Sequence, residues 1–428
     1  MSHHPPVYVV DGSRTPFLKA TGKPGPFTSA DLLVATGKQL LARQPFSPDL
    51  LSEVIIGSVL PSPDEVNIAR VASQRLGCGH KVPAWTVQRN CGSGMQALET
   101  AVDRIRDGHS NFILAGGVDA MSHAPVLFND EMIGWLADLN KARGPLAKLR
   151  QLSQLRPRHL RPVFGILRGL TDPVVNLNMG QTVENLADMF HVQREEMDQY
   201  ALRSHQRLAA AYDQKKMTEV TPIYDRNGHA YTEDNGLRRD STIEKLSRLR
   251  PVFDPRFGRI TAGNGAQITD GAALLLLANE EIVNQYQLPV LGTIVDTHWA
   301  GLPPEHMGLG PVHSTIPLLA RNQLQLSDID YWEINEAFAA QVIACLRAFA
   351  DPVYCKQHFD LETPLGSIPE ERINIDGGAI SLGHPVGCSG ARIVLHLLNT
   401  LQQKKAQIGL ATLCIGGGQG GAMLLKRG

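Results

Sequence analysis

Two periodicities alternate along this chain. Short apolar, β-prone runs at residues 7–10, 53–60, 85–88 and 112–115 predict strands, and between them apolar residues recur three or four apart at 29–43, 67–76 and 94–106, the spacing of helices. In the last of these, Met95, Leu98, Val102 and Ile105 fall on one helical face. Ser29 is a fitting N-cap for the first helix, and Asp11-Gly12 ends the first strand. Strands alternating with helices predict an α/β fold with a parallel sheet covered on both faces. The order then returns: strand-like runs at 290–295, 331–334 and 408–413, and helical spacing at 316–322, 337–348 and 391–401. Two short matches accompany it. LAGGVDAM at 114–121 resembles LCIGGGQGGAM at 413–423, and Ser93-Gly94 before one helix resembles Ser389-Gly390 before another. The expected architecture is therefore two duplicated α/β halves whose strand ends meet at a shared cleft.

Between the halves the pattern changes to longer, more polar helices at 181–191 and 194–216. The expected division is residues 1–123 with 250–286 as one half, 124–249 as an inserted domain, and 287–428 as the other half. Within the insertion, residues 139–171 carry Lys141, Arg143, Lys148, Arg150, Arg156, Arg158, Arg161 and Arg168 and no Asp or Glu, interleaved with Leu, Val, Ile and Phe. That composition fits either a solvated surface or a face turned to acidic matter: a nucleotide phosphate, a partner subunit or peripheral contact with anionic lipid.

Composition narrows the class. At 428 residues the chain exceeds one ordinary core, and 43 % hydrophobic and 19 % charged residues suit a soluble enzyme. A formal net charge of -1 argues against nucleic acid as a partner. The six cysteines show no metal-finger spacing, so neither a metal nor a disulfide framework is expected. The first residues show no targeting pattern and no apolar run is long enough to span a bilayer, so a cytoplasmic location is expected.

Candidate chemistry is dispersed. Cys91 lies just before the predicted helix that starts near Gly94, where free amides and the helix dipole are expected to lower a thiol pKa; a small buried residue at a turn is the plainer reading. His384 sits in a Gly-rich turn before a helix, where imidazole can pair with a thiolate. Cys414 precedes Gly416-Gly417-Gly418, flexible backbone whose N–H groups can point at an oxyanion. Asn335 ends a strand and can hold a water or a carbonyl. Gly416, Gly418 and Gly421 satisfy the dinucleotide glycine spacing, but seven residues remain after Gly421, too few for the helix and acidic residue that motif needs.

Together, NCGSG at 90–94, NEAF at 335–338, GHP at 383–385 and CIGGG at 414–418 resemble the thiolase family, in this order and across nearly the whole chain, and DGSRTP at 11–16 resembles its opening turn. The resemblance implies two similar α/β/α/β/α-layered halves plus a loop domain, assembly into homodimers or tetramers, and coenzyme A thioesters as substrates with no cofactor or metal. It implies Cys91 as acylated nucleophile, His384 as its activator and an oxyanion donor, Cys414 as second acid/base, Asn335 holding a water in one oxyanion hole, and the N–H groups of Cys91 and Gly416 forming another. Met179, Ala337 and Phe338 match pantetheine-lining positions and Arg238 one near the adenine nucleotide. Asn178, Ala266 and Gln88 depart from the family's usual His, Ser and Asn. RPRHLRP at 156–162 and EDNGLR at 233–238 resemble thiolase subunits of fatty-acid oxidation complexes, which work beside a hydratase/dehydrogenase partner, although Asn335 stands where that subgroup often has His. The expected activity is 3-ketoacyl-CoA thiolysis in β-oxidation. The alternatives are acetyl-CoA C-acetyltransferase, a decarboxylating ketoacyl synthase, and a non-catalytic lipid-binding or scaffold member of the fold.

Overall fold

A computed structural model describes residues 5–428. Ten strands form one mixed sheet made of two sets that repeat the same pairing sense. In the first set Ala84–Val87 pairs in parallel with Glu53–Gly57, which pairs in parallel with Phe112–Ala120; Thr269–Ala278 and then Tyr8–Arg14 follow antiparallel. In the second, Ile373 bridges Trp332 in parallel, Tyr331–Ile334 pairs in parallel with Ile408–Ile415, and Gln419–Arg427 and Gly292–Gly301 follow antiparallel. The sets join where Tyr8 and Val9 meet Thr293 and Gly292.

The expectation of a parallel sheet is corrected here. Thr269–Ala278 (TDGAALLLLA) and Gln419–Arg427 are the antiparallel strands, and neither alternates in polarity. Every residue of Thr269–Ala278 is buried because both faces are covered, so the run lacks the polar-out signal that marks a one-sided strand. The strand Phe112–Ala120 also runs on through Gly116-Gly117, where a turn would be read. A Cβ at Gly117 would lie 2.1 Å from the Gly387 carbonyl oxygen, so this glycine serves a close backbone approach between the halves.

Alternate strand residues feed different cores, which makes the layers explicit. Ala273, Leu275 and Leu277 face a central cluster with Met95, Leu98, Leu395 and Leu413, while Leu274 and Leu276 face an outer one with Leu33 and Leu40. The outer cluster of the second half contains Leu318, Trp332, Leu410 and Leu424. In the central layer the helices Ser93–Arg106 and Ser389–Lys404 cross at their N-termini, and every residue from Ser389 to Leu398 is buried. The contact is reciprocal: a Cβ on Gly94 would sit 2.8 Å from the Ala391 nitrogen, and one on Gly390 2.5 Å from the Met95 nitrogen. The repeated Ser-Gly pair is thus the crossing point of the two halves.

Residues 124–249 add no strand to the large sheet; their strands form two separate two-stranded pairs. The long helices of this region, Met179–Met189 and Arg194–Asp213, have no core of their own. Val183, Leu186, Met197 and Tyr200 join the outer cluster of the second half, and Leu208 and Ala211 join the central one. Among the described residues no helix is long and apolar enough to cross a membrane.

A buried ionic chain fastens the insertion to both halves. Arg14 donates to both carboxylate oxygens of Asp234 at 2.7 and 2.9 Å, Glu219 lies 3.6 Å from its guanidinium, and His396 Nδ1 is 2.9 Å from Glu219. Burial pushes the His396 imidazole down, but the Glu219 and Asp376 carboxylates overcome it and hold the ring protonated beyond its ordinary range. Burial likewise pushes Glu219 up, and His396 and Arg14 overcome that and hold it below the usual carboxylate range. The His396 contribution is therefore complete below the ordinary imidazole pKa and lost as pH rises through the raised value. The Glu219 contribution is present above the ordinary carboxylate pKa and lost as pH falls through the depressed one. Glu219→Gln leaves Arg14 and His396 short of a buried counter-charge and should cost about 3–5 kcal/mol at neutral pH. Thermal unfolding across a pH series should show that gap narrowing on the alkaline side; an equal melting temperature at pH 7 would refute the assignment.

Candidate active site

Cys91 lies in the turn between the strand Ala84–Val87 and the helix Ser93–Arg106. The turn is tightly held. Asn90 adopts a left-handed φ of 44°, Ser93 Oγ donates to the Asn90 carbonyl at 2.7 Å and accepts from the Arg89 N–H at 2.8 Å. Asn90 Nδ2 then donates to the Gly416 carbonyl at 2.8 Å, which clamps the cysteine turn of one half onto the glycine hairpin of the other. That hairpin connects Ile408–Ile415 to Gln419–Arg427, with φ of 89° at Gly417 and 77° at Gly418. It is a β-turn, which confirms that the dinucleotide-like glycine spacing is a decoy.

Cys91 and Gly416 share a cavity of about 110 Å³ with Asn90 and Met179, walled by Val59, Leu60, Ile166 and Leu170. Here the expected depression of the Cys91 pKa is overturned. Burial pushes the thiol up, and the N–H groups of Gly416 and of Cys91 itself, which lie against the sulfur, only partly pull it back. Gly92 caps the helix, so Cys91 stands just outside the first turn and loses more hydration than the dipole restores. Cys414, buried near the end of its strand, is pushed well above the ordinary thiol range by burial and by the neighbouring Cys91. Both thiols therefore rest protonated at neutral pH.

His384 precedes the central helix, and its turn reaches the same cavity through Val386. Burial, with Arg392 nearby, lowers its pKa to about 4. The resting partner of a thiol here is thus a neutral imidazole, and the expected stabilisation of a thiolate by imidazolium is not the ground state. Ser389 Oγ lies 3.1 Å from the Pro385 carbonyl and 2.6 Å from His384 Nδ1; when the hydroxyl donates to the carbonyl, Nδ1 is the donor to Oγ. That leaves Nε2 with a free lone pair, the tautomer a general base requires.

Asn335 is fully buried. Its Oδ1 accepts from Arg392 at 3.4 Å, Arg392 is fixed by Glu333 at 2.7 Å, and Asn335 Nδ2 has no hydrogen-bond partner among the described residues. A buried amide donor held in place and unpaired is suited to fixing a water or a ligand oxygen. Sequence reasoning missed the residues that support these groups. Glu336 accepts from Tyr200, Ser204, Asn374 and the Ile380 N–H, which ties the Asn335 loop to the insertion. Asp119 accepts from the Ser58 hydroxyl, the Val59 and Leu60 N–H groups and, at 2.6 Å, the Gly387 N–H, and so shapes the wall beside Cys91. Asp119 and Ser389 lie inside the duplicated motifs; the signal was an uncommon carboxylate in an apolar strand and a hydroxyl at a helix start.

Two family models cover the chain, the thiolase N-terminal domain over residues 7–281 and the thiolase C-terminal domain over 288–427. The chain belongs to the thiolase family. A 3-ketoacyl-CoA thiolase of Yersinia pestis (strain Pestoides F) is 34% identical over 426 residues, 98% of this chain and 96% of that protein. Solved structures of a Bacillus anthracis acetyl-CoA acetyltransferase and of human mitochondrial 3-ketoacyl-CoA thiolase match with TM-scores of 0.85 and 0.84 at 33% and 34% identity, each covering 99% of both chains. The layered α/β fold expected from the motifs is the thiolase fold, and the class of chemistry is acyl transfer.

Of the four expected coenzyme positions, Met179 and Arg238 line two different cavities, and Ala337 and Phe338 line neither of them. Met179 lines the Cys91 cavity. Arg238 lies instead in a second cavity of about 130 Å³ with His205, Lys245 and Gln267. The two are linked through Gln267, whose carbonyl accepts the His384 N–H at 2.9 Å. Ala337 accepts from the Ala266 N–H at 2.9 Å, and the Phe338 ring packs edge-on to Phe253. Asn178, one of the departures, caps the helix Met179–Met189 by accepting from the Gln181 N–H at 3.0 Å. Gln88, another, donates to the Val59 carbonyl at 3.2 Å.

Proposed function

We propose that this chain is a 3-ketoacyl-CoA thiolase, which uses coenzyme A to cleave a 3-ketoacyl-CoA into acetyl-CoA and an acyl-CoA shortened by that unit. The observation that carries the reading is the cavity where the Cys91 thiol faces the Gly416 N–H beside an apolar wall. His384 Nε2 takes the Cys91 proton, and the sulfur adds to the keto carbon, whose oxygen is received by oxyanion donors. Collapse breaks the carbon–carbon bond, and Cys414 protonates the departing acetyl-CoA carbanion. The Cys414 thiolate then removes the proton of incoming coenzyme A, whose sulfur displaces the acyl group and returns the electron pair to Cys91, which takes its proton back from His384. The raised pKa of Cys414 suits it to hold a proton until a carbanion needs one. Asn335, with its free Nδ2, positions a water in one oxyanion hole, and the Cys91 and Gly416 amides form the other.

The second cavity, with Arg238 and Lys245, suits the nucleotide phosphates of coenzyme A. We place the reaction in cytoplasmic fatty-acid β-oxidation beside a hydratase/dehydrogenase partner. The outer edge of Ala84–Val87, with exposed Trp85 and Gln88, fits pairing with a second copy in a homodimer or tetramer.

The similarity to an acetyl-CoA acetyltransferase supports a second reading, condensation of two acetyl-CoA to acetoacetyl-CoA. A thiolysis profile over 3-ketoacyl-CoA chain lengths separates them: comparable or better kcat/KM on longer chains supports thiolysis in degradation, and activity confined to acetoacetyl-CoA supports the other. Leu170→Trp should fill the apolar wall and lower kcat/KM for long chains about tenfold or more while sparing acetoacetyl-CoA, the scale of a misfitted hydrophobic pocket. An unaltered chain-length profile would remove the wall from the acyl site.

A further inference from the structure

Arg392 is placed against local preference. It is a buried cation on the first turn of the helix Ser389–Lys404, the end where the dipole favours anions, and its Nε has no hydrogen-bond partner among the described residues. Local preferences tend to be broken where a residue serves function rather than stability. Arg14, the other buried arginine, meets two carboxylates, Asp234 and Glu219. Arg392 meets one, Glu333 at 2.7 Å, and its Nη2 is turned instead to Asn335 Oδ1 at 3.4 Å.

That contact decides a choice the backbone leaves open. Glu333 lies on the strand Tyr331–Ile334, and Asn335 follows it with its N–H donating to the Thr412 carbonyl at 2.9 Å, two residues before Cys414. The sheet therefore fixes the main chain, but the two ends of an amide have nearly the same shape and exchange by a half-turn. A guanidinium carries only donors, so the end that faces it must be the carbonyl. Nδ2 is left on the other side, buried and without a hydrogen-bond partner among the described residues. Beside a neutral neighbour the amide would be free to present either end, and an oxygen presented to a developing oxyanion repels it.

The same charge reaches His384, where Arg392 adds to burial in opposing protonation of the imidazole. His396, Glu336 and Asp376 are the other charged groups around Glu333.

We infer that Arg392, held by Glu333, is a positioning residue for acyl transfer, which turns the Asn335 amide so that Nδ2 is the end offered to the water or ligand oxygen. The inference rests on the reading that Asn335 and His384 take part in acyl transfer.

Removing Arg392 alone would strand Glu333 in the interior, so the test uses the apolar pair Arg392→Met/Glu333→Leu, an exchange of a buried ion pair for side chains of similar volume that is often neutral for stability. Acylation of the full-length enzyme by acetyl-CoA is followed as coenzyme A release across a pH series. The pair variant should fold and acylate about tenfold to a hundredfold more slowly, the scale on which a misplaced group acts. Its acid limb should move up from near pH 4, stopping short of 6.5 because burial, the larger cause, is unchanged. Asn335→Ala should slow the wild type and slow the pair variant little further, since the two changes act through one amide. Arg392→Lys keeps the charge and should restore the acid limb and part of the rate. A folded pair variant with the wild-type rate overturns the inference. So does a slower one in which the acid limb is unmoved and Asn335→Ala acts in full, the pattern of a structural ion pair. Should the pair variant fail to fold, Asn335→Asp carries the test: it keeps an oxygen for Arg392 but loses the donor, and should fold while acylating about 10²–10³-fold more slowly. Wild-type acylation by Asn335→Asp overturns the inference. A wild type that forms no acyl-enzyme fails the thiolase reading itself, whereas an acylated wild type with unaffected variants fails only the role of Arg392.

Discussion

Cys91→Ala will remove acyl transfer in both directions, by roughly a million-fold, the scale on which losing a covalent nucleophile acts. The reason is spatial as much as chemical. Cys91 is part-buried and lines the cavity where the Gly416 amide waits, whereas Cys78, Cys345, Cys355 and Cys388 are buried in the packed interior and Cys414 lies deeper in its strand. Incubation with acetyl-CoA followed by mass spectrometry should place the acetyl group on the Cys91 peptide, and the alanine variant should carry none. Label on Cys414 alone would exchange the roles of the two thiols. The fold should survive the change, since the turn is held by Asn90 and Ser93.

His384→Asn and Cys414→Ser should each lower turnover roughly 10²–10⁴-fold, the range for a displaced general acid or base. Their pH signatures separate them. Because burial lowers His384 to about 4 from an ordinary 6.5, the imidazole stays neutral through the physiological range, and the acid limb of acylation should lie nearer pH 4 than 6.5. Ser389→Ala frees Nδ1 and should slow acylation while leaving the Cys414 step intact. For Cys414→Ser, thiolysis and condensation should fall together, because both need the same proton at the acetyl carbon. A decarboxylating ketoacyl synthase makes its carbanion by losing carbon dioxide and has no use for this thiol. Carbon dioxide release from malonyl-CoA at wild-type rates in Cys414→Ser would therefore sink the thiolase roles of both cysteines. Near wild-type rates for His384→Asn would remove the histidine from the mechanism.

The duplicated order of elements was legible in the chain because a helix that buries one face keeps a clear period even in the central layer. Met95, Leu98, Val102 and Ile105 are all buried on one face of Ser93–Arg106, as their spacing requires. The candidate groups could be singled out too, since a cysteine or a histidine beside glycines is uncommon and Asn335 stands at the end of a strand. The two central antiparallel strands were not legible, because full burial erases the alternation that marks a strand. Glu336 and Asp119 escaped for a different reason. A carboxylate draws attention as an acid or base, and only the surrounding donors reveal one that is permanently occupied with holding two loops together.

Local sequence therefore singled out the candidate reactive residues, the stretches that repeat, and the basic and apolar character of the insertion. Tertiary structure decided the protonation states and the partners. Helix-end electrostatics, read locally, argued for a Cys91 thiolate, but desolvation depends on what the other half of the molecule places over the sulfur, and burial is the larger effect. The neutral His384, the unpaired Nδ2 of Asn335 and the clamp from Asn90 to Gly416 all arise from segments far apart in sequence. Hydrophobic spacing is a short-range property that a single element can display alone. The proton affinity of a buried group is set by everything packed around it, and that is known only once the two halves are folded against each other.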